Sequence, residues 1–267
     1  MLRFLSILAT LTTLPSPALS TGLLIPLYSW PGTDTWNTIY TTIAAYPTVP
    51  FYLIINPSTG PGETTYPEAA FITGIAKINS YPNARVLGYT YTSHGTRPRS
   101  DVENDIAAYA NWSSYKEHNI ALSGIFFDQV SDGEDGSKLA YFQSLARVAR
   151  NKGLETVVFN PGVRVVGDVG AWFAAADLVV ECEDTYANWV AMGPEEHFAA
   201  MGDYGKDAVI LNRTPVDADI GSVVGVAKGL GIGAIYLSHD EDYMSYASVP
   251  KVAVAVAQER RIGRGYV

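Results

Sequence analysis

Short apolar runs recur along this chain at similar spacing, at residues 23–28, 51–55, 86–91, 124–128, 156–159, 178–183, 208–211 and 234–238, each bounded by Gly, Pro, Asn or Asp. Most are continuously apolar instead of alternating, the pattern of strands covered on both faces in a parallel sheet flanked by helices. Between them, helical patterns cover 35–45, 69–79, 101–118, 137–152, 187–201 and 220–229. Strand and helix alternating through eight units predict a single-domain (β/α)8 TIM barrel. An open doubly wound sheet shares the alternation, but eight units in a chain of this length with no nucleotide fingerprint favour closure. The run Gly229-Leu230-Gly231-Ile232-Gly233 precedes a strand instead of joining a strand to a helix, so it reads as a helix stop and not as a phosphate loop.

In a closed barrel the residues that end the strands surround one mouth, which is where chemistry is expected. In chain order those ends carry Tyr28 and Trp30, Asn56, Tyr91 and His94, Asp128 and Gln129, Asn160, Glu181 and Glu183, Asn212, then Ser238, His239 and Asp240. Asp128 closes the apolar run Gly124-Ile125-Phe126-Phe127, a position that a carboxylate occupies at a cost unless it is hydrogen-bonded, paired or used. In 178–183, simple alternation puts Val179, Glu181 and Glu183 on one side and Leu178, Val180 and Cys182 on the other. Glu181 would then lie one layer below Glu183 and need a partner such as Arg97 or Arg164 to stay ionised.

The fourth and sixth strands are not neighbours, so Asp128 and Glu183 would face each other across part of the mouth with space for a sugar between them. Paired carboxylates are what glycosidic cleavage requires: one protonates the leaving oxygen and the other acts as nucleophile or activates water. Oxygens about 5 to 5.5 Å apart would indicate retention of configuration, and ~6.5 to 9.5 Å inversion. The chain holds 17 Tyr and 5 Trp, and Tyr28, Trp30, Tyr91, Tyr186 and Trp189 fall at strand ends or just beyond them. Flat apolar rings with a polar tip suit pyranose faces. No G-x-S-x-G elbow or H-E-x-x-H motif occurs. The four histidines lack metal-ligand spacing, with His239-Asp240-Glu241-Asp242 a weak candidate for a hard cation. No metal and no cofactor is expected.

Composition narrows the partners. Residues 1–20 place Arg3 before an apolar run that ends near Leu14, followed by Pro15, Pro17 and small residues to Ser20. That is the form of a signal peptide cleaved after Ser20, which leaves 21–267 as the barrel of a secreted protein. The run is too short for a membrane span, which needs about 18 residues or more. A formal charge of −9 disfavours nucleic acid and suits a cationic ligand. Cys182, the single cysteine, allows no internal disulfide, and its apolar neighbours predict a buried inert thiol. Sequons occur at Asn111 and Asn212, the latter less suited to a glycan because it ends a strand at the mouth. A monomer with an extracellular polysaccharide as its partner is the expectation that follows.

Several segments together resemble the spherulin 4-like, or spherulation-specific family 4, proteins. They are Ile25-Pro26-Leu27-Tyr28, Ile55-Asn56-Pro57 with Gly60-Pro61-Gly62, Gly88-Tyr89 through Gly95-Thr96-Arg97, Gly124 to Asp128, Asn160-Pro161-Gly162 and Glu183-Asp184-Thr185-Tyr186. The resemblance implies a (β/α)8 glycoside hydrolase acting on N-acetylgalactosamine-containing galactosaminogalactan, a polymer that becomes cationic when deacetylated. It places the family's acid after the G-I-F-F pattern on Asp128 and its strand-six glutamate on Glu183 instead of Glu181. The resemblance also leads one to expect Asp-Glu at the end of the fourth strand, where this chain has Asp128-Gln129. Two expectations follow: a hydrolase working through Asp128 and Glu183, with Gln129 as a sugar contact, or a catalytically silenced barrel kept as a carbohydrate-binding or coat-associated protein.

Overall fold

Strand β1 (Gly22–Leu27) is buried along its whole length and hydrogen-bonds in parallel to β2 (Phe51–Ile55) on one side and to β8 (Ala234–Leu237) on the other. Between them β3 (Ala84–Tyr91), β4 (Gly124–Asp128), β5 (Thr156–Phe159), β6 (Leu178–Thr185) and β7 (Asp207–Asn212) follow in chain order, all parallel, and close the barrel. Helices α1 (Asn37–Ala45), α2 (Ala69–Ile78), α3 (Arg99–Asn111), α4 (Leu139–Asn151), α5 (Val169–Ala175), α6 (Tyr186–Met192), α7 (Ile220–Leu230) and α8 (Val249–Ala257) alternate with the strands. This is a (β/α)8 TIM barrel, as the alternating apolar runs predict. The structure, a computed structural model, describes residues 21–32, 34–198 and 205–258, so the leader expected at 1–20 lies outside the described residues.

Burial on both faces follows from what each strand side meets. On β3, Tyr89 turns into the barrel and stacks near Phe126 of β4, with ring centroids 6.3 Å apart. The next residue, Thr90, points outward and hydrogen-bonds Asp105 of α3 at 2.6 Å. On β4, Phe127 faces the helices and joins Phe159, Phe142 and Trp172 in a cluster of edge-on and tilted rings. Such interlocking aromatic surfaces contribute burial and, in edge-on pairs, a further ~0.5–1.5 kcal/mol each. Among the described residues no helix is long and apolar enough to cross a membrane.

The helices differ from the sequence expectation in four places. The pattern at 101–118 breaks at Asn111, and only a single 3-10 turn, Trp112–Ser114, follows it. The pattern at 187–201 ends at Met192 because Pro194 cannot continue the hydrogen-bond ladder, and its expected last residues lie outside the described ones. Helices α5 and α8 have no counterpart in the predicted set. Seven residues are too few for a clear helical period in α5. In α8 the run Val252-Ala253-Val254-Ala255-Val256-Ala257 alternates like a strand, yet Val249, Val252, Ala253 and Val256 are the buried positions. That i, i+3, i+4, i+7 spacing is one helix face. As expected, the glycines after α7 stop it: Gly231 takes the left-handed conformation, φ 76, that closes a helix C-terminus.

Strand β6 contains the departure that matters for the site. Val180 pairs with Ala208 and Cys182 with Val209, its next neighbour on β7, so Glu181 is an extra residue in a β-bulge. The bulge shifts the phase of alternation. Glu183 therefore falls on the side of Val180, not of Val179, and Glu181 stands outside the alternation, contrary to the simple strand reading.

Candidate active site

Four strand ends converge on a pair of carboxylates. Asp128 ends β4, Asn160 follows β5, Glu183 stands near the end of β6, and the loop after β8 brings in Tyr243. The Asn160 amide donates one proton to Asp128 Oδ1 at 2.9 Å and the other to Glu183 Oε2 at 2.6 Å. Those two bonds hold the acceptor oxygens within about 5.5 Å of each other, short of the ~6.5 Å at which inverting pairs begin. Turning the amide over would point its oxygen at both carboxylates, so the arrangement fixes its orientation. Asn160 Oδ1 is buried and has no hydrogen-bond partner among the described residues.

A tyrosine hydroxyl stands near each carboxylate. The Tyr89 hydroxyl donates to Asp128 Oδ2 at 2.7 Å, so both Asp128 oxygens act as acceptors. The Tyr243 hydroxyl accepts a hydrogen bond from Asn212 Nδ2 at 3.1 Å and is near enough to Glu183 for that charge to act on it. Tyr28 meets Tyr89 edge-on at 5.7 Å, close enough for the charges of both acids to act on its hydroxyl.

Local backbone structure explains why these side chains meet. The carbonyls of Asp128 and Gln129 are both held by the buried Thr92 hydroxyl, at 2.9 and 2.7 Å, and His94 N–H donates to Gln129 O at 2.7 Å. Gln129 itself takes a left-handed conformation, φ 51, which turns the chain sharply after Asp128. On the other side, Gly162 N–H donates to Val180 O and Gly162 O accepts from Glu183 N–H. Gly162 has φ 72, a left-handed conformation that favours glycine, so Asn160-Pro161-Gly162 ties the end of β5 to Glu183 at a place suited to glycine.

Electrostatics separate the two acids. Burial raises the Glu183 carboxyl above its ordinary value; the Asn160 hydrogen bond and the nearby Tyr243 hydroxyl pull it back, and the Asp128 charge pushes it up. Burial, then the Asp128 and Glu183 charges, keep the Tyr28 hydroxyl protonated well beyond a free tyrosine. Burial and Asp128 do the same for Tyr89, and burial and Glu183 for Tyr243. These hydroxyls are donors at any ordinary pH. Cys182 is buried, and that burial raises its thiol, as expected of an inert cysteine.

Among the described residues, the others predicted for the mouth make no side-chain hydrogen bond to the two acids. Trp30 is half exposed and rests edge-on against Phe71 at 5.3 Å, leaving ring surface open to a ligand. Tyr91 lies under the Arg97 guanidinium at 4.2 Å, and His94 is exposed beside Val130 O. Asn56 Oδ1 accepts from Gly60 N–H at 2.9 Å and braces the loop after β2. Tyr186 starts α6 and packs on the core. Gln129 is exposed, and among the described residues its side chain makes no hydrogen bond to the protein. Trp189 is not a mouth aromatic: it is buried, with its ring stacked on His197 at 5.4 Å.

Glu181 finds neither Arg97 nor Arg164. Its Oε1 accepts from Val165 N–H at 2.8 Å, while Arg97 pairs with Asp105 at 2.7 Å and Arg164 is exposed. Among the described residues no group of His, Cys, Asp and Glu forms a metal cluster; Glu241 pairs with Arg213 at 2.6 Å and His239 Nδ1 faces Thr214 O. Sequence reasoning missed Tyr89, Thr92 and Tyr243. Tyr89 shares the face of Tyr91 two residues on, a signal that period-2 reading could have used. Tyr243 lies in a loop beyond β8 with no period to reveal it.

The model of spherulation-specific family 4 matches residues 22–258. The chain belongs to that family. Spherulin-4 of Physarum polycephalum is 28% identical over 223 residues, which span 81% of this chain and 62% of that longer protein. Sph3 of Aspergillus clavatus, solved in complex with GalNAc, has a TM-score of 0.81 at 29% identity, covering 90% of this chain and 98% of Sph3. A class V chitinase from Pseudomonas fluorescens Pf-5 shares the fold alone, with a TM-score of 0.54 at 10% identity over 88% of this chain and 98% of the chitinase. This family 4 member shares its (β/α)8 barrel with Sph3 and, as a fold alone, with the chitinase.

Proposed function

We propose that this protein is a secreted retaining glycoside hydrolase that cleaves a polysaccharide containing N-acetylgalactosamine or galactosamine, with Glu183 as general acid and Asp128 as nucleophile. The observation that carries this reading is the single Asn160 amide donating to both carboxylates, which keeps the bonded oxygens no more than about 5.5 Å apart, below the separation of an inverting pair. Glu183, raised by burial, keeps a proton to give to the glycosidic oxygen as the C1–O bond breaks. Asp128, with donors on both oxygens, presents an acceptor to the positive centre and closes on C1. Water then attacks C1, its proton returns to Glu183, and the Asp128 ester bond breaks. Sph3's GalNAc complex supports the amino-sugar assignment, and the leader-like residues 1–20 support an extracellular substrate.

Gln129 keeps a second reading in view. It stands exposed beside Asp128 where the resemblance leads one to expect glutamate. If the missing glutamate were the proton donor, the barrel would bind glycan without cleaving it. Reducing-end release from purified galactosaminogalactan separates the two. The wild type is expected to be active, with Asp128→Asn and Glu183→Gln each lowering kcat by about a thousandfold or more. Activity that appears only in Gln129→Glu would establish the silenced, binding barrel instead. Proton NMR of the first-formed anomer checks retention.

A further inference from the structure

We infer that the end of β1 is a sugar subsite beside the acids, in which the Trp30 indole takes a pyranose face and the Tyr28 hydroxyl donates to an acceptor oxygen of an N-acetylated unit. This rests on the reading of the protein as a barrel for an amino-sugar polymer. Of the five tryptophans, Trp36, Trp112, Trp172 and Trp189 are buried and Trp30 is half exposed. Trp30 follows β1, which lies opposite β5 in the closed order of eight, so it rims the mouth across from Asn160. A glycan that crosses the mouth with its scissile bond at the acids therefore lays a neighbouring unit against the end of β1.

The exposed ring is held in place. It meets Phe71 of α2 edge-on at 5.3 Å, and Phe71 is itself buried, edge-on to Trp36 at 6.0 Å. The backbone is braced on both sides of the indole. Ser29 is buried: its Oγ accepts from Trp36 Nε1 at 3.2 Å and bonds the Tyr246 hydroxyl at 2.8 Å, and its N–H donates to the same hydroxyl at 3.3 Å. Gly32 N–H donates to Trp30 O at 2.7 Å. A flat apolar surface fixed before binding loses little freedom when a sugar stacks on it.

Tyr28 supplies the polar half. Its ring meets Tyr89 edge-on at 5.7 Å, and Tyr89 donates to Asp128, so Tyr28 stands one ring away from the acids. Among the described residues its hydroxyl makes no hydrogen bond to the protein, whereas the phenols of Tyr89, Tyr109, Tyr236, Tyr243 and Tyr246 all do. The neighbouring groups are rich in acceptors: both Asp128 oxygens and Glu183 Oε2 accept, and both Asn160 amide protons go to them. Tyr28, kept protonated by burial and by the charges of both acids, adds a donor whose proton no protein acceptor takes. An acetamido carbonyl carries lone pairs for that proton, and the ammonium of a deacetylated unit carries none. The subsite therefore reads N-acetylation.

The test measures binding by isothermal titration calorimetry in purified Glu183→Gln protein, which keeps Tyr28, Ser29 and Trp30 and removes turnover. The probes are N-acetylgalactosamine oligosaccharides and the same oligosaccharides after chemical deacetylation. Adding Trp30→Ala is expected to weaken both probes by about tenfold and to abolish the shift in tryptophan emission that binding causes, because the other four indoles are buried. Adding Tyr28→Phe is expected to weaken the acetylated probe by about three- to tenfold and to leave the deacetylated probe within about twofold. Either variant binding the acetylated probe as tightly as its Glu183→Gln parent overturns the subsite, and equal weakening of both probes by Tyr28→Phe overturns its reading of the acetyl group. Tyr28→Phe removes one atom that no protein group bonds, so it decides the matter if Trp30→Ala does not fold. A parent that binds neither probe overturns the amino-sugar reading and the subsite with it, an outcome distinct from a binding parent with unchanged variants.

Discussion

Asp128 has the Tyr89 hydroxyl to itself and shares Asn160 with Glu183, and burial weighs on Glu183 more than hydrogen bonding relieves it. The consequence for stability has a definite sign. A carboxyl raised in the folded state favours folding while protonated and loses that contribution as pH rises through its folded value. Glu183→Gln never ionises, so thermal melts should show its Tm, relative to wild type, rising as pH climbs from about 4 through the folded value of Glu183. A Tm difference flat in pH would mean that Glu183 is not held above its ordinary value. At this scale the sequence showed Asp128, Asn160, Glu183 and Asn212, because each ends an apolar run. It could not show that Asn160 bridges the acids, or that Asn212 hydrogen-bonds Tyr243. Those are angular facts about side chains from different strands.

Among the elements, β6 shows how one residue changes a local reading. Two glutamates two positions apart look equivalent under strict alternation, and the bulge at Glu181 makes them different: one caps Val165 N–H in the loop before α5, the other faces the mouth. Glu181→Leu would leave that buried amide unsatisfied, at a cost of about 1–3 kcal/mol. For a chain of this size each kcal/mol lowers Tm by roughly 2–4 °C, so denaturant and thermal melts should both detect it, while kcat changes far less than in Glu183→Gln. A bulge leaves no mark in hydropathy because the extra residue is defined by the partner strand. Helix α8 makes the complementary point. Its valine and alanine alternation suits a strand, but β8 and β1 already close the barrel, and packing on α7 and α1 selects the helical face of Val249, Val252, Ala253 and Val256. Tertiary burial overrides a weak local preference here.

At the scale of the molecule, the formal charge of −9 bears on the proposed substrate. A partly deacetylated, cationic glycan would be drawn to the acidic protein through a field that salt screens. KM on such a polymer is expected to rise several-fold between about 0.05 and 0.5 M salt, and KM on a fully acetylated polymer to stay level. Equal salt response on both polymers would remove charge attraction from the account. The closed order of eight strands was legible in the chain because continuous apolar runs between helices can be buried on both faces in few ways. With closure came the expectation that strand ends gather at one mouth, and so the candidate pair of acids. Sequence alone thus determined the architecture and the residues available for chemistry, since both depend on periodicity and on where polar residues interrupt it. Only the tertiary structure decided which glutamate faces the mouth, which amide joins the acids and which loop tyrosine meets them, because those depend on register and on distances between strands far apart in the chain.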